Sequence, residues 1–424
     1  MTNHLHERIL KSVDELREDL LSFTASTVAV DSVTGYEDKV QPLYQAKLEE
    51  LGLQVDAWNP QPEDVADFPN FLSGETRFGE RPNIVGVWKG TGAGPSIGLN
   101  GHVDVVLAGE EARWTHPPFS GARADGKIWG RGACDMKAGV AAGIFAIAAL
   151  QRAGVALDGD VQMQCVIAEE TGGLGTIATI RRGYVPDGLI CLEPTNLNIC
   201  PAMGGLLKYQ ITILGRAAHT SRPWMGESAF EHFLPIYQAV KDFETERHNQ
   251  ISHPLFDSLP RKAPIAMGKI HAGDWPYSIP ERLVAAGRCG MVPGDDPEDV
   301  RARFEQCIYD AAAKDPWLQE HPPIIEWVHG QFDPWETPAD HPLVEAVRAS
   351  TEEVTHQPPQ FKPITGGVDA AFFVKYAQVP SVTFGPGDMT LAHHTDENVP
   401  EDDLVAATKI VALSVLQWCG ASNA

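Results

Sequence analysis

VQMQCVIAEETGG, residues 161–173, runs from an apolar stretch, Val161 to Ala168, into two adjacent carboxylates, Glu169 and Glu170, and then into glycines. A short apolar run bounded by glycine reads as a strand. Neighbouring side chains on a strand point to opposite faces, so the two glutamates point apart and one is carried toward the interior. Like charges this close repel, and a buried carboxylate is costly unless something compensates it.

Other strand ends repeat the pattern. SIGLNGHVDVV (96–106) sets His102 and Asp104 at i and i+2, on one face of a strand. GRGACDMKAG (130–139) places Asp135 just before an alanine-rich helix, Met136 to Arg152, that is apolar almost all round and therefore deeply buried. LICLEPT (189–195) ends in Glu193, and LAHHTDE (391–397) brings His393 and His394 after the turn GPGD. Open α/β sheets bind ligands at the carboxyl ends of their strands, and five segments deliver an imidazole or a carboxylate there.

Singly, each residue has a plain structural use. Asp135 reads as a helix N-cap, Glu193 as a surface turn before Pro194, Asp104 as a loop cap, and the glutamate pair as a solvated strand end. Together, carboxylates and imidazoles without cysteine suit Zn, Co or Mn at a catalytic centre. A dication offers the compensation that the glutamate pair lacks.

A chain of 424 residues exceeds one ordinary core, so two domains are expected. The first 200 residues alternate strands and helices, as an α/β domain does. KGTGAGP (89–95), between strands Ile84–Trp88 and Ser96–Val106, reads as a hairpin turn. Past Gly204 the pattern strand, helix, strand, helix marks an α+β insert, after which HPLVEAVRASTEEV resumes the first domain. The expected division is 1–205 with 325–424, and 206–324 as the insert. Ile9, Val13, Leu16 and Leu20 recur at helical spacing, giving an amphipathic surface helix rather than a signal peptide.

The formal charge of −24 excludes the basic footprint that nucleic acid requires. No stretch approaches the roughly 18–20 continuous apolar residues of a membrane span. Seven scattered cysteines without a Cys-x-x-Cys pair suit reduced core thiols, and so a cytoplasmic protein. No Gly-x-Ser-x-Gly elbow supports a serine hydrolase.

The chain resembles the metallopeptidase family that contains acetylornithine deacetylase, succinyl-diaminopimelate desuccinylase, aminoacylase and carboxypeptidase G. GHVDVV, WTHPPFSG, DGKIWGRGACDMKAG, AEETGG, LEPT, GRAAHTSRP, TGGVDAAFF and GPGD…AHHTDE carry the resemblance, in the family's order and over nearly the whole chain. It implies a zinc-peptidase-like catalytic domain, a central mixed sheet flanked by helices, with an inserted ferredoxin-like dimerisation domain. It implies two divalent ions. Asp135 would bridge them, His102 and Glu193 would complete one site, and Glu170 and His393 the other. Asp104 would orient His102, and Glu169 would be the general base that deprotonates a water. In LAHHTDE the family pattern aligns His393 as the ligand, while spacing alone permits His394. His219, in GRAAHTSRP, would reach the partner subunit's site across a homodimer and hold the oxyanion; alternatively it satisfies backbone at a strand end. Gly367, in TGGVDAAFF, would lie at the substrate.

The resemblance breaks where relatives bind a substrate carboxylate through an Asn and an Arg. Here Tyr277 holds the Asn position and Gly290 the Arg position. Arg288, two residues earlier on the same strand face, could substitute; otherwise the clamp is missing. The expected activity is hydrolysis of a small N-acylated amino acid at its amide C–N bond, acetylornithine deacetylase-like. The alternative is a formamide or an aromatic amine, hence a deformylase or deaminase. A retired, non-catalytic metal-binding scaffold is the remaining reading. Trp224, Met225 and Trp275 flank the insert motifs as pocket, core or interface residues.

Overall fold

The computed structural model describes residues 2–66, 68 and 78–421. The chain divides into two compact units: 1–202 with 336–364 and 368–424, and 203–335 with 365–367.

The larger unit is α/β. Its sheet runs in the order Gln54–Trp58, Asn83–Trp88, Val161–Val166, Ile97–His102, Gly188–Cys191, Ser381–Thr383, Ile199–Met203 and Trp335–Glu336, with Phe361–Ile364 also on Ile199–Met203. The four central strands, 161–166, 97–102, 188–191 and 381–383, are mutually parallel, so their carboxyl ends share one rim. Strands 97–102 and 188–191 are wholly buried, the mark of parallel strands covered on both faces.

Helix Ala138–Arg152 is buried from Ala138 through Leu150 and packs beside helices Thr2–Glu15, Arg17–Val28 and Glu401–Cys419. The segment 133–152 is long and apolar enough to cross a membrane by length and composition, but it lies inside the protein core. Gly139 permits this depth: a Cβ there would sit 1.9 Å from the carbonyl oxygen of Leu192.

Residues 89–95 do not close a hairpin. Strand 161–166 inserts between 83–88, its antiparallel neighbour, and 97–102, its parallel one. The glycines serve close backbone approach instead, since a Cβ on Gly90 would meet the Gly159 carbonyl oxygen at 2.4 Å. The N-terminal segment is two helices broken at Leu16 rather than one, and Ile9, Val13 and Leu20 are core residues.

The smaller unit is a four-stranded antiparallel sheet, Ile265–Ala272, Arg282–Gly290, Leu206–Leu214 and Ile324–Phe332 in that order. Leu207, Tyr209, Ile211 and Ile213 alternate onto one face. Phe233, Ile236 and Val240 of helix Ala229–Gln250 and Val300, Phe304 and Ile308 of helix Pro297–Ala312 join them in one core. Asp296 caps the second helix through the amides of Glu298 and Asp299. The sequence boundary at 325 falls inside the strand Ile324–Phe332, whose pairing with Leu206–Leu214 draws the crossing on to 335.

Candidate metal centre

The parallel rim gathers the side chains. His102 ends its strand and Asp104 follows two residues later, while Glu193 lies two residues past Cys191. Strand 161–166 leads into a turn in which Ala168 takes φ 56°, a conformation that L side chains disfavour, before Glu169 and Glu170. His393, at φ 62°, arrives on the loop after strand 381–383. Asp135 is not a helix N-cap: it lies in a kinked turn before Ala138, with φ −113° and ψ 95° and a cis peptide to Met136.

His102 Nε2 lies 3.0 Å from Asp135 Oδ1 and 3.7 Å from Glu193 Oε1. On the other side of Asp135, His393 Nε2 lies 3.5 Å from Oδ2 and 3.1 Å from Glu170 Oε1. Candidate ligand atoms of His102, Asp135 and Glu170 fall within 4.8 Å of one another. His394 contributes its carbonyl oxygen to Arg131; the ring facing Glu170 and Asp135 is that of His393.

Asp104 orients His102 chiefly through its backbone: His102 Nδ1 donates to the Asp104 carbonyl oxygen at 2.9 Å, with carboxylate Oδ1 at 3.5 Å. That bond leaves the Nε2 lone pair facing Asp135. The Asp104 carboxylate meanwhile accepts from the amides of Glu169, at 3.1 Å, and Glu170, at 3.3 Å, and from the Thr34 hydroxyl at 2.8 Å.

The residues fit a bound dication. Glu193 is buried, and its Oε2 has no hydrogen-bond partner among the described residues. Three acidic side chains, Asp135, Glu170 and Glu193, converge with two imidazoles, a set of hard and borderline donors. Burial lifts the carboxyls of Glu193 and Glu169 well above their usual range, aided by neighbouring carboxylates. Burial also raises Glu170, despite its hydrogen bond from His393. Burial opposes a low Asp135 value, but His102 and His393 outweigh it and hold that carboxyl down. Hydrogen bonds to Asp135 and Glu170 push His393 up to about 10.

Two residues with no role assigned from sequence support this set. Glu397 accepts from Arg131 Nη1 at 2.7 Å and from the amides of Cys134 at 3.0 Å and Asp135 at 3.1 Å. Arg131 also donates to the carbonyl oxygens of His393 and His394, so one buried ion pair ties the Asp135 turn to the His393 loop. Asp369 accepts from the Thr176 hydroxyl at 2.6 Å, and burial raises its carboxyl to about 7. The final glutamate of LAHHTDE and the aspartate of TGGVDAAFF were the available signals.

The remaining sequence candidates lie in the smaller unit. His219 is exposed, and its Nδ1 accepts from the Ser221 amide at 3.1 Å. Tyr277 is 61 % exposed beside Trp275 at 64 %, ring centroids 5.8 Å apart. Arg288 donates to the Thr365 carbonyl oxygen at 3.0 Å, while its buried Nε lacks a partner among the described residues. Gly290 is buried against the backbone of Ala263 and Pro264, and Gly367 lies against the Phe332 ring.

A divalent ion held by these carboxylates and imidazoles would supply Lewis acidity and would bring the pKa of a bound water down toward neutrality.

Residues 98–417 match the profile of peptidase family M20/M25/M40. The chain is 29% identical over 434 residues, 96% of each chain, to N-formyl-4-amino-5-aminomethyl-2-methylpyrimidine deformylase of Bacillus subtilis. It is 28% identical over 336 residues to a probable succinyl-diaminopimelate desuccinylase of Staphylococcus epidermidis, covering 74% of this chain and 80% of that one. The fold matches the dipeptidase Dug1p of Saccharomyces cerevisiae with a TM-score of 0.77 at 14% identity, over 99% of both chains.

Proposed function

The chain belongs to peptidase family M20/M25/M40, and we propose that within it the protein removes a formyl group from a small, ring-bearing amine. It is a metal-dependent hydrolase of amide C–N bonds. The observation that carries the finer reading is Gly290. At the position where relatives present an arginine to a substrate carboxylate, this strand is buried against backbone and bears no side chain. Tyr277, in place of the companion Asn, is exposed and aromatic. A site without that clamp does not select a substrate by its free carboxylate. Full-length similarity to a formylaminopyrimidine deformylase supports the same class.

In this reading His102, Asp135, Glu170, Glu193 and His393 hold two divalent ions (Zn, Co or Mn), Asp104 sets His102, and Glu169 moves the proton. Formate leaves as the acid and the amine takes the proton. Gly367 and Tyr277 border the substrate, and His219 of one protomer serves the other in a cytoplasmic homodimer. Support for the dimer is an apolar stripe, Phe230, Leu234 and Tyr237, exposed on helix Ala229–Gln250 beside the exposed edge strand Ile265–Ala272.

One observation favours the second reading, a carboxylate-bearing N-acyl amino acid. Arg288 has a buried, unpartnered Nε and no carboxylate partner among the described residues, so it could take the anion. The test is a panel of N-formyl aminomethyl heterocycles against N-acetyl and N-succinyl amino acids. Enzyme loaded with Zn, Co or Mn is assayed for both formate and amine, with Glu169→Gln as the blank. Turnover confined to the amino acids would overturn the deformylase reading and assign Arg288 to the carboxylate.

A further inference from the structure

The turn that carries Glu169 is held by side chains rather than by sheet pairing. Four successive amides, 167 to 170, each donate to a side-chain oxygen. Ile167 N meets Asn83 Oδ1 at 3.1 Å, Ala168 N meets Glu37 Oε1 at 3.2 Å, and Glu169 N and Glu170 N share the Asp104 carboxylate. Glu37 is completely buried, as is the guanidinium that holds it: Arg81 Nη1 donates to Oε1 at 3.0 Å and to Oε2 at 2.9 Å. The Gly35 amide adds a bond to Oε2 at 2.9 Å.

This bond falls where the backbone is least comfortable. Ala168 has φ 56°, a conformation that disfavours an L residue and persists only where the surroundings over-determine it. Asn83 fixes the residue before and Asp104 the two after; at the Ile167–Ala168 peptide the Ile167 carbonyl oxygen accepts from the Gly175 amide at 3.0 Å, and Glu37 is the side chain that holds the Ala168 amide. The φ and ψ of Ala168, which follow that peptide, carry its orientation into the Ala168–Glu169 peptide and so into the direction of the Glu169 side chain. We infer that Glu37, clamped by Arg81, is a positioning residue for Glu169: its carboxylate fixes the strained turn so that the proton-transferring side chain stays aimed. The inference rests on the reading of Glu169 as that group.

The experiment compares two double variants that differ at residue 37 alone. Arg81→Met with Glu37→Gln keeps an oxygen for Ala168 N; Arg81→Met with Glu37→Leu removes it. Both remove the two charges of this pair together, and replacing a buried ion pair with groups of similar volume is often tolerated. The Gln form is expected to keep kcat within about threefold of the wild type. The Leu form is expected to lose about 10- to 100-fold in kcat, the order expected for a displaced reacting group. KM and the number of metals bound should match in the two. Amide hydrogen exchange should quicken at Ala168 in the Leu form while strand Val161–Val166 stays protected.

Equal kcat in the two variants overturns the inference, as does a loss in the Leu form that is matched by lost metal. Should either variant fail to fold, exchange in the wild-type enzyme decides: an Ala168 amide that exchanges fast relative to Val161–Val166 refutes the clamp. Glu169→Gln is assayed alongside. If it stays active, the reading of Glu169 fails; if it is inactive while the two double variants agree, the positioning inference alone fails.

Discussion

Glu397→Ala should damage stability and metal binding together. Glu397 and Arg131 are both buried, and their oxygen and nitrogen lie 2.7 Å apart. Removing the carboxylate leaves the guanidinium uncompensated, a loss of about 3–5 kcal/mol for a buried pair. The amides of Cys134 and Asp135 lose their acceptor at the same time, but they share one carboxylate with Arg131, so these losses do not simply add. A fall in Tm on the order of 5–10 °C is expected by calorimetry. Asp135, no longer held through its amide, should bind metal about 10- to 100-fold more weakly, as measured by competition with a chelator. Glu397→Gln keeps an oxygen for the amides and should fall between the wild type and the Ala variant in both measurements. An Ala variant within about 1 kcal/mol of the wild type, with unchanged metal affinity, would refute the account, because no buried charge would then have been stranded.

Glu169→Gln should retain its metals by elemental analysis and lose about 10²- to 10⁴-fold in kcat; retained turnover would remove Glu169 from the proton transfer. Stripped of metal by a chelator, the protein should lose stability as pH rises. The carboxyls of Glu169, Glu170 and Glu193 are raised in the folded state, as are His102 and His393, the last to about 10. The native state therefore holds more protons than the unfolded state from just above pH 4.5 upward, and stability falls with pH across that window. Tm measured between pH 5 and 9 should decline in the stripped protein and be restored by metal; a rise would contradict the arrangement. Mixing inactive His219→Ala with inactive Glu169→Gln under subunit exchange should restore about a quarter of wild-type activity, since half the dimers would carry one intact site. No recovery, with exchange demonstrated, would confine His219 to its own protomer. Arg288→Met should leave kcat/KM for N-formyl heterocycles within about twofold if they offer no carboxylate; a loss of tenfold or more would bring Arg288 to the substrate.

The ends of the strands were the most legible part of this molecule. A parallel strand displays its last residue on a shared rim, so His102, Glu169, Glu170 and Glu193 announce themselves by position as well as by type. What holds them was not legible. Glu397, Arg131, Glu37 and Asn83 meet the site through partners far away in sequence, and a single glutamate in a loop carries no mark of whose amide it receives. Pairing order was hidden for the same reason. Strands 83–88 and 97–102 look like a hairpin until a later strand slides between them. Strand Ile265–Ala272 was missed because it is a largely exposed edge with an irregular register at Met267 and Lys269. The larger unit resumes at 336 rather than at 325, because the strand before it belongs to the smaller sheet.

Strand Ser381–Thr383 sits between Gly188–Cys191 and Ile199–Met203, and that order has a consequence for how the chain is made. A ribosome releases both neighbours long before the strand that separates them. The smaller sheet, 203–335, can close on itself while the larger one still waits with a gap. His393 emerges later still, behind that strand. On the proposed ligand set, a nascent chain therefore holds an incomplete centre until residue 393 has been made, and a message cut short before that residue yields a protein that can fold in part but cannot assemble the site.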